Sequence, residues 1–357
     1  TVAPRDARHS IAVLLGLTSA SGGTAAAATM SLPERAEAGR NYDYRYAWVR
    51  DTCCVGRVGA AVDGAEAILD GAVRWTVNRL LTDGPTIRPV YTVGGDPIPG
   101  EAPLDLPGYP GGFDLVGNRA GDQFQLDVFG QALVLLAEAA TADRLDVEGW
   151  QAAEIAVAAI EQRWTEPDAG VWETSPNRWT QSRLMCVAGL RAISAAGAPA
   201  TLVRRALPLA DRIVADTDRS CLHPSGRWQR APDDERVDGS LLLPELRGAL
   251  PPDDPRTRAT RLAIATELNE DGYLYRYAHG SGPLFEDEGA FLICNFWMAL
   301  ACLRAGDAVS GARRFERSRA ACGPAELYSE EFDVRQRQLR GNVPQAFVHA
   351  AMVECSV

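Results

Sequence analysis

Apolar residues recur along this chain mainly at the three- and four-residue spacing of an α-helix, and only rarely at the two-residue spacing of a strand. The spacing predicts twelve helices, over about 7–18, 51–61, 65–81, 123–141, 147–164, 179–196, 199–216, a stretch opening at Asp238, 255–268, 290–306, 308–322 and 343–357. The last begins with Pro344 in its first turn, where a missing N–H costs nothing. The pattern also alternates in kind. From the third helix onward, odd-numbered segments carry charge on one side, as Arg204, Arg205, Asp211 and Arg212 do in the seventh. Even-numbered segments are apolar nearly all round, as in the run from Ala290 to Cys302. A helix apolar on every face is buried, and an amphipathic one covers it.

Twelve helices in inner–outer alternation predict an all-α fold, an (α/α)6 barrel of six inner helices ringed by six outer ones, as one catalytic domain over residues 1–357. A helical solenoid is the alternative, but it should repeat a sequence motif, and none recurs. Residues 83–122 form a Pro/Gly-rich loop too long for a simple connection, so it is expected to be functional or strapped over the surface. No strand-rich second domain is visible. Residues 1–30 read as a first helix and loop rather than a targeting segment.

Composition narrows the chemistry. The 357 residues carry a formal net charge of −11, which argues against nucleic acid or an anionic membrane as partner. No apolar run reaches the length of a membrane span. None of the eight cysteines sits in a CxxC pair, and most lie inside apolar helical runs, which favours free thiols and a cytoplasmic location. The four histidines are far apart, without metal-ligand spacing, and no phosphate-cradling glycine loop is present, so neither metal nor cofactor is expected.

Residues 41–51 read Asn-Tyr-Asp-Tyr-Arg-Tyr-Ala-Trp-Val-Arg-Asp, with four aromatics, two arginines and two aspartates. Flat rings and Arg/Asp pairs suit a concave site for a sugar, and they equally suit a buried ion-pair knot under an aromatic lid. Position separates the two. Trp48-Val49-Arg50-Asp51, the run from Asp122 to Asp127, Trp172-Glu173, Asp238-Gly239-Ser240, Asp287-Glu288-Gly289 and the run from Ser329 to Asp333 each lie just before or at the start of an inner helix. In an up–down barrel the inner helices run parallel, so these six clusters converge on one end. A single acid there could be a helix cap, the ready reading for Asp238. Carboxylates, arginines and aromatics gathered at one funnel suggest cleavage of a glycosidic bond, which needs one carboxylic acid and one carboxylate. Glu173 and Glu330 are the candidates, with Glu331 and Glu288 as rivals to Glu330. Trp172 offers an apolar wall beside Glu173.

With these residues in view, the chain resembles glycoside hydrolase family 15, the glucoamylase-type inverting enzymes. The shared motifs include Ser31-Leu32-Pro33-Glu34, residues 41–51, Leu106-Pro107-Gly108-Tyr109, residues 123–130, 170–173 and 180–186, Tyr275-Arg276-Tyr277, residues 288–292 and 330–333, and residues 341–347. The resemblance implies an (α/α)6 barrel, Glu173 as general acid and Glu330 as general base. It implies that Arg50 and Asp51 grip the terminal sugar, that Tyr44 and Trp48 wall that subsite, that Trp172 lines the first leaving-group subsite, and that Arg276 contacts sugar near the cleavage point; Glu288 is a further expected substrate-binding residue. Two departures, Arg183 where relatives usually have Lys and Gln131 where they usually have Glu, are expected to alter substrate contacts. The 357 residues include no N-terminal β-sandwich such as many relatives carry, a pattern expected of the isomaltose glucohydrolase branch and equally of a piece of a longer protein.

The expected activity is exo-acting, inverting release of β-D-glucose from short α-glucosides, foremost isomaltose and isomaltooligosaccharides. Glucoamylase action on α-1,4 links and trehalase action are the alternatives within that chemistry. A disaccharide phosphorylase and a non-catalytic sugar-binding protein are the alternatives outside it.

Overall fold

A computed structural model describes residues 2–35, 41–106, 115–280 and 288–357. Residues 107–109 of one motif and Asp287 of another lie outside the described residues.

The inner helices are α2 (Val49–Ala61), α4 (Asp127–Thr141), α6 (Thr180–Ala195), α8 (Leu243–Leu246), α10 (Leu292–Arg304) and α12 (Ala346–Ser356). Each packs on the next, and α12 returns to α2, so the ring closes. The outer helices are α1 (Pro4–Leu17), α3 (Glu66–Asp83), α5 (Val147–Arg163), α7 (Ala200–Cys221), α9 (Pro255–Glu267) and α11 (Ala308–Arg319). Closure distinguishes the (α/α)6 barrel from a solenoid, whose ends would not meet. The alternation of pattern has its expected cause: α10 is buried continuously from Leu292 to Cys302, whereas Arg204, Arg205, Asp211 and Arg212 of α7 face solvent. The tightest crossing is α4 on α6. A Cβ on Gly130 would lie 2.3 Å from the Met185 carbonyl, and one on Gly189 would lie 2.5 Å from the Gly130 carbonyl. Only glycine lets the two backbones approach this closely. The segment before residue 30 is helix α1, whose Leu14 and Leu17 pack against α2 and α12.

Four expected boundaries move. The eighth helix is one 3-10 turn, Gly239–Leu242, followed by the four residues of α8. Gly248, at φ +81°, reverses the chain there, and Pro251-Pro252 follow at once. Helix α4 starts at Asp127 rather than residue 123. The preceding residues are held extended, with the Ala169 N–H donating to the Phe124 carbonyl at 2.8 Å. Helix α7 runs on past residue 216 to Cys221, because Thr217 and Cys221 continue its buried face. Helix α12 starts at Ala346, so Pro344 precedes the helix instead of opening it.

Short strands occupy the loops. β1 (Ala47–Trp48) pairs with β2 (Val90–Tyr91), β3 (Ala102–Pro103) with β4 (Leu115–Val116), and β5 (Asn269–Glu270) with β6 (Tyr273–Leu274). β7 (Ala290–Phe291), β8 (Glu331–Asp333) and β9 (Gln338–Arg340) form a three-stranded antiparallel ribbon. Within the described part of the 83–122 stretch, β2 fixes Trp48 immediately before α2.

The two ends of the ring differ. At the C-terminal ends of the inner helices, Glu354 accepts bonds from Arg57 (2.5 Å) and Arg247 (3.1 Å), and Arg57 also bonds Glu138. There too, Arg304 donates to the Leu246 carbonyl and Arg191 to that of Ala249. This charged plug ties together the C-terminal ends; the cavity lies at the other end of the ring. No described helix is long and apolar enough to cross a membrane.

Candidate active site

The cavity at the N-terminal ends of the inner helices has a volume of about 420 Å³, within the roughly 300–1,000 Å³ usual for small-ligand sites. Residues from four of the six polar clusters line it: Trp48, Arg50 and Asp51; Gln123; Trp172 and Glu173; and Glu330. The convergence expected from parallel inner helices is therefore present. The Asp238 cluster stands aside. Asp238 caps its 3-10 turn by accepting the Ser240 N–H at 2.8 Å, and it pairs with Arg230 at 3.0 Å. Leu243 of α8 lines the cavity in its place.

Glu173 rides a tight turn between α5 and α6. Its own φ is +57° and that of Gly170 is +67°, the left-handed region. A non-glycine residue there is held against a backbone preference, as functional residues often are. Buried Asp168 anchors the turn, its carboxylate accepting from the Gly170 N–H (2.8 Å), the Ser182 hydroxyl (2.9 Å) and the Leu126 N–H (3.4 Å). Burial, then the nearby Asp127 carboxylate, pushes the Asp168 carboxyl up to about 7. From the other side, Arg50 donates to the Val171 carbonyl at 2.9 Å, to Asp51 at 3.1 Å, and lies 3.9 Å from Glu173. Burial works against the Arg50 charge, and Asp51, Glu173 and Asp127 together hold it on. Arg50 thus ties the start of α2 to the turn that carries Glu173.

The aromatic partner of the Glu173 carboxyl is Trp48, whose indole N–H donates to it at 2.6 Å. The neighbouring Trp172 lines the same cavity and packs on Phe291 and Trp297, with ring centroids 5.2 and 6.3 Å away.

Glu330 lies at the head of β8. The Leu292 N–H donates to its carbonyl at 2.9 Å, and the ribbon pairs Phe291 with Glu331. Its carboxyl accepts the Tyr44 hydroxyl at 2.9 Å. Tyr44 in turn meets Trp48 edge-on, with centroids 5.7 Å apart, so the two carboxyls hang from different rings of one contacting pair. Burial, then the adjacent Glu34 carboxylate, raises the Glu330 carboxyl above the usual carboxylate range, against the pull of Arg276 and the Tyr44 hydrogen bond. The rival Glu331 faces away from the cavity and accepts the Gly289 N–H at 2.8 Å.

Arg276 stands over Phe291, Tyr277 and Trp172 at 4.7, 5.2 and 5.3 Å, and forks onto Glu288. Glu288 therefore sits one layer back from the cavity, holding Arg276, rather than on the wall where it was expected. Neither Arg183 nor Gln131 reaches the cavity either. Arg183 is wholly buried, bonded to the Arg178 carbonyl, the Cys221 thiol and Asp216. Gln131 is buried within α4. The sequence reading assigned no role to Glu34, Tyr277, Phe291 or Trp297, all of which line the cavity. Phe291 and Trp297 belong to an apolar run, so nothing local marks them as site residues.

The family model for glycosyl hydrolases family 15 matches residues 7–357. The chain belongs to this family. It is 34% identical over 363 residues to a trehalase of Mycobacterium tuberculosis, an alignment covering 98% of this chain and 53% of the relative. It is 28% identical over 228 residues to an isomaltose glucohydrolase of Kribbella flavida, covering 60% and 57%. The chain thus spans about half the length of the trehalase it matches. A solved wild-type glycosidase shares the fold at a TM-score of 0.76 and 22% identity, covering 98% of this chain and 95% of its own. Family 15 membership agrees with the ring of helices and with a carboxylate-bearing funnel at one end of it.

Proposed function

We propose that this family 15 chain is an exo-acting, inverting α-glucosidase that releases β-D-glucose from the non-reducing end of a short α-glucoside. The observation that carries this reading is the pair of cavity carboxyls, Glu173 and Glu330, each bonded to one ring of the Trp48–Tyr44 pair. Glu173 protonates the glycosidic oxygen and Glu330 takes a proton from the attacking water. Asp51 and Arg50 hold hydroxyls of the terminal glucose, with Trp48 and Tyr44 against its ring. Trp172, Phe291 and Trp297 form the apolar wall for the departing sugar, and Arg276 reaches toward the cleaved bond. The whole chain then serves as one catalytic unit, with a small sugar as its partner.

Likeness to trehalases over nearly the full chain supports trehalose as the first substrate. Isomaltose, the substrate expected from the sequence, is the second reading and is supported by the Kribbella relative. Initial rates on trehalose, isomaltose, maltose, kojibiose, nigerose, dextran and starch decide between them. Glu173→Gln and Glu330→Gln should each abolish turnover of the preferred substrate. Proton NMR of the first product should show β-glucose; α-glucose would sink the inverting mechanism. A rate that depended on inorganic phosphate would turn the reading to a phosphorylase, and binding without turnover to a sugar-binding protein.

A further inference from the structure

The cavity holds a further carboxyl, beside Asp51, Glu173 and Glu330, that the scheme above leaves unused. Glu34 belongs to the Ser31–Glu34 segment, far from Glu330 in the chain. Backbone pairing brings them together: the Gly341 N–H donates to the Pro33 carbonyl at 3.0 Å, and the Ser31 N–H to the Tyr42 carbonyl at 3.2 Å. Asn342 staples the same region, accepting from Thr29 (3.1 Å) and the Leu32 N–H (3.4 Å) while donating to the Tyr42 carbonyl (2.8 Å). Gly341 lies between the two glutamates: a methyl on it would sit 3.5 Å from Glu34 Cγ and 3.9 Å from Glu330 Cβ. Both side chains line the cavity, Glu34 at 4% exposure and Glu330 at 7%, with their carboxyls adjacent.

We propose that Glu34 is a positioning residue for the general base, receiving the hydrogen bond of the proton that Glu330 takes from water. The proposal rests on the hydrolytic reading above. In the attack, a water O–H bond breaks and its oxygen joins the anomeric carbon. The proton goes to Glu330, and the electrons of the broken C–O bond go to the glycosidic oxygen, which is protonated by Glu173. Before the step, two buried carboxylates oppose each other. After it, an O–H···O⁻ bond joins them. An interaction that improves along the reaction path is catalytic rather than merely binding. It also makes Glu330 a stronger base than an isolated glutamate. The groups facing Glu330 are Glu34, the Tyr44 hydroxyl, the Arg276 guanidinium and the Cys294 thiol of α10, with Tyr42 and Glu173 beyond Tyr44. Of these, Glu34 raises the proton affinity of Glu330 most, and Arg276 and Tyr44 lower it.

The test is the pH dependence of kcat/KM for wild type, Glu34→Gln and Glu34→Asp on the preferred glucoside. Glu34→Gln should move the acid limb to lower pH by about one unit or more and reduce plateau kcat by about tenfold. Glu34→Asp should return the limb toward its wild-type position. A lower plateau with an unmoved limb would mean a purely structural role and would overturn the proposal. A second readout needs no turnover: the pH midpoint of carbodiimide labelling of Glu330, followed by mass spectrometry in the substrate-free protein. That midpoint should also fall in Glu34→Gln, and an unchanged midpoint in an active enzyme overturns this proposal alone. A wild-type protein that cleaved no α-glucoside would overturn the hydrolytic reading and this role with it.

Discussion

Replacing Glu354 by alanine tests the architecture, since this carboxylate closes the plug at the C-terminal ends of the inner helices. One oxygen accepts from Arg57 at 2.5 Å and the other from Arg247 at 3.1 Å. The side chains are 9%, 10% and 1% exposed, respectively. Arg57 keeps Glu138 as a second partner, whereas the ion pairs among the described residues give Arg247 no other carboxylate. Removing one member of a buried pair strands the other charge, at about 3–5 kcal/mol. At roughly 2 °C per kcal/mol for a chain of this size, Tm should fall by about 6–10 °C at pH 7. Burial opposes the Glu354 charge, but Arg247, Arg57 and Arg304 more than offset it and hold its carboxyl below the ordinary range. A carboxyl lowered in the fold stabilises above its unfolded pKa of about 4.3, and that stability is lost as pH falls through the folded value. The Tm gap between wild type and variant should therefore be full at pH 7 and shrink below about pH 4. Calorimetry across pH measures both, and kcat/KM at 25 °C should stay within about twofold, because the plug lies opposite the cavity. A Tm loss under about 2 °C, or a gap that widened on acidification, would refute the reasoning.

Asp51→Ala removes the carboxylate beside Arg50 and should lower kcat/KM by about 10- to 150-fold, the worth of a charge-assisted hydrogen bond, with Glu173 and Glu330 intact; a change below about threefold in initial rates would remove Asp51 from the sugar site. Glu330→Gln should lose activity yet match or exceed wild-type Tm at pH 7–8. A carboxyl raised in the fold costs stability once pH exceeds its unfolded value, so this gain should vanish near pH 4, and a lower Tm at pH 8 would contradict the raised carboxyl. Asp168→Ala frees the turn that carries the acid, so kcat should fall at least about tenfold with KM little changed, and an unaltered kcat would mean that the turn holds without its anchor.

What the sequence made legible follows from the range of the interactions that set each feature. Helix periodicity is local, so α10 and α7 could be read directly, one apolar throughout and the other charged along one side. The start of α4 could not, because Ala169, on the other side of α5, holds Phe124 extended. The short α8 could not either, since the reversal at Gly248 outweighs an apolar run that looks long enough to continue. The same divide runs through the site. Residues 41–51 stand out because aromatics and charges crowd one stretch. Glu288 sits in an equally conspicuous acidic cluster yet supports Arg276 from behind, and sequence spacing does not distinguish wall from second layer. Glu34 had no readable role because its partner is almost three hundred residues away, joined through one backbone bond at Gly341. Arg183, expected to alter substrate contacts, leaves the cavity untouched because it is buried against α7.

The parallel inner helices also account for where each kind of charge sits. Their dipoles add, so one end of the ring presents free N–H groups and a positive field, and the other presents free carbonyls and a negative one. Arginines collect at the carbonyl end, where Arg304 and Arg191 donate to the carbonyls of Leu246 and Ala249. Carboxylates collect at the N–H end, where Asp51, Asp127, Glu173 and Glu330 share one cavity or its floor. That field favours ionised carboxylates, while burial disfavours them and prevails at Asp51, Asp127 and Glu330, all raised above the usual range. The balance leaves several buried acids close to gaining or losing a proton, with Arg50 as the shared counter-charge for Asp51 and Asp127. Proton transfer needs groups in that condition, and a solenoid with an open end would not gather them. Closure of the ring by α12 on α2 is therefore a requirement of the chemistry as well as of the fold.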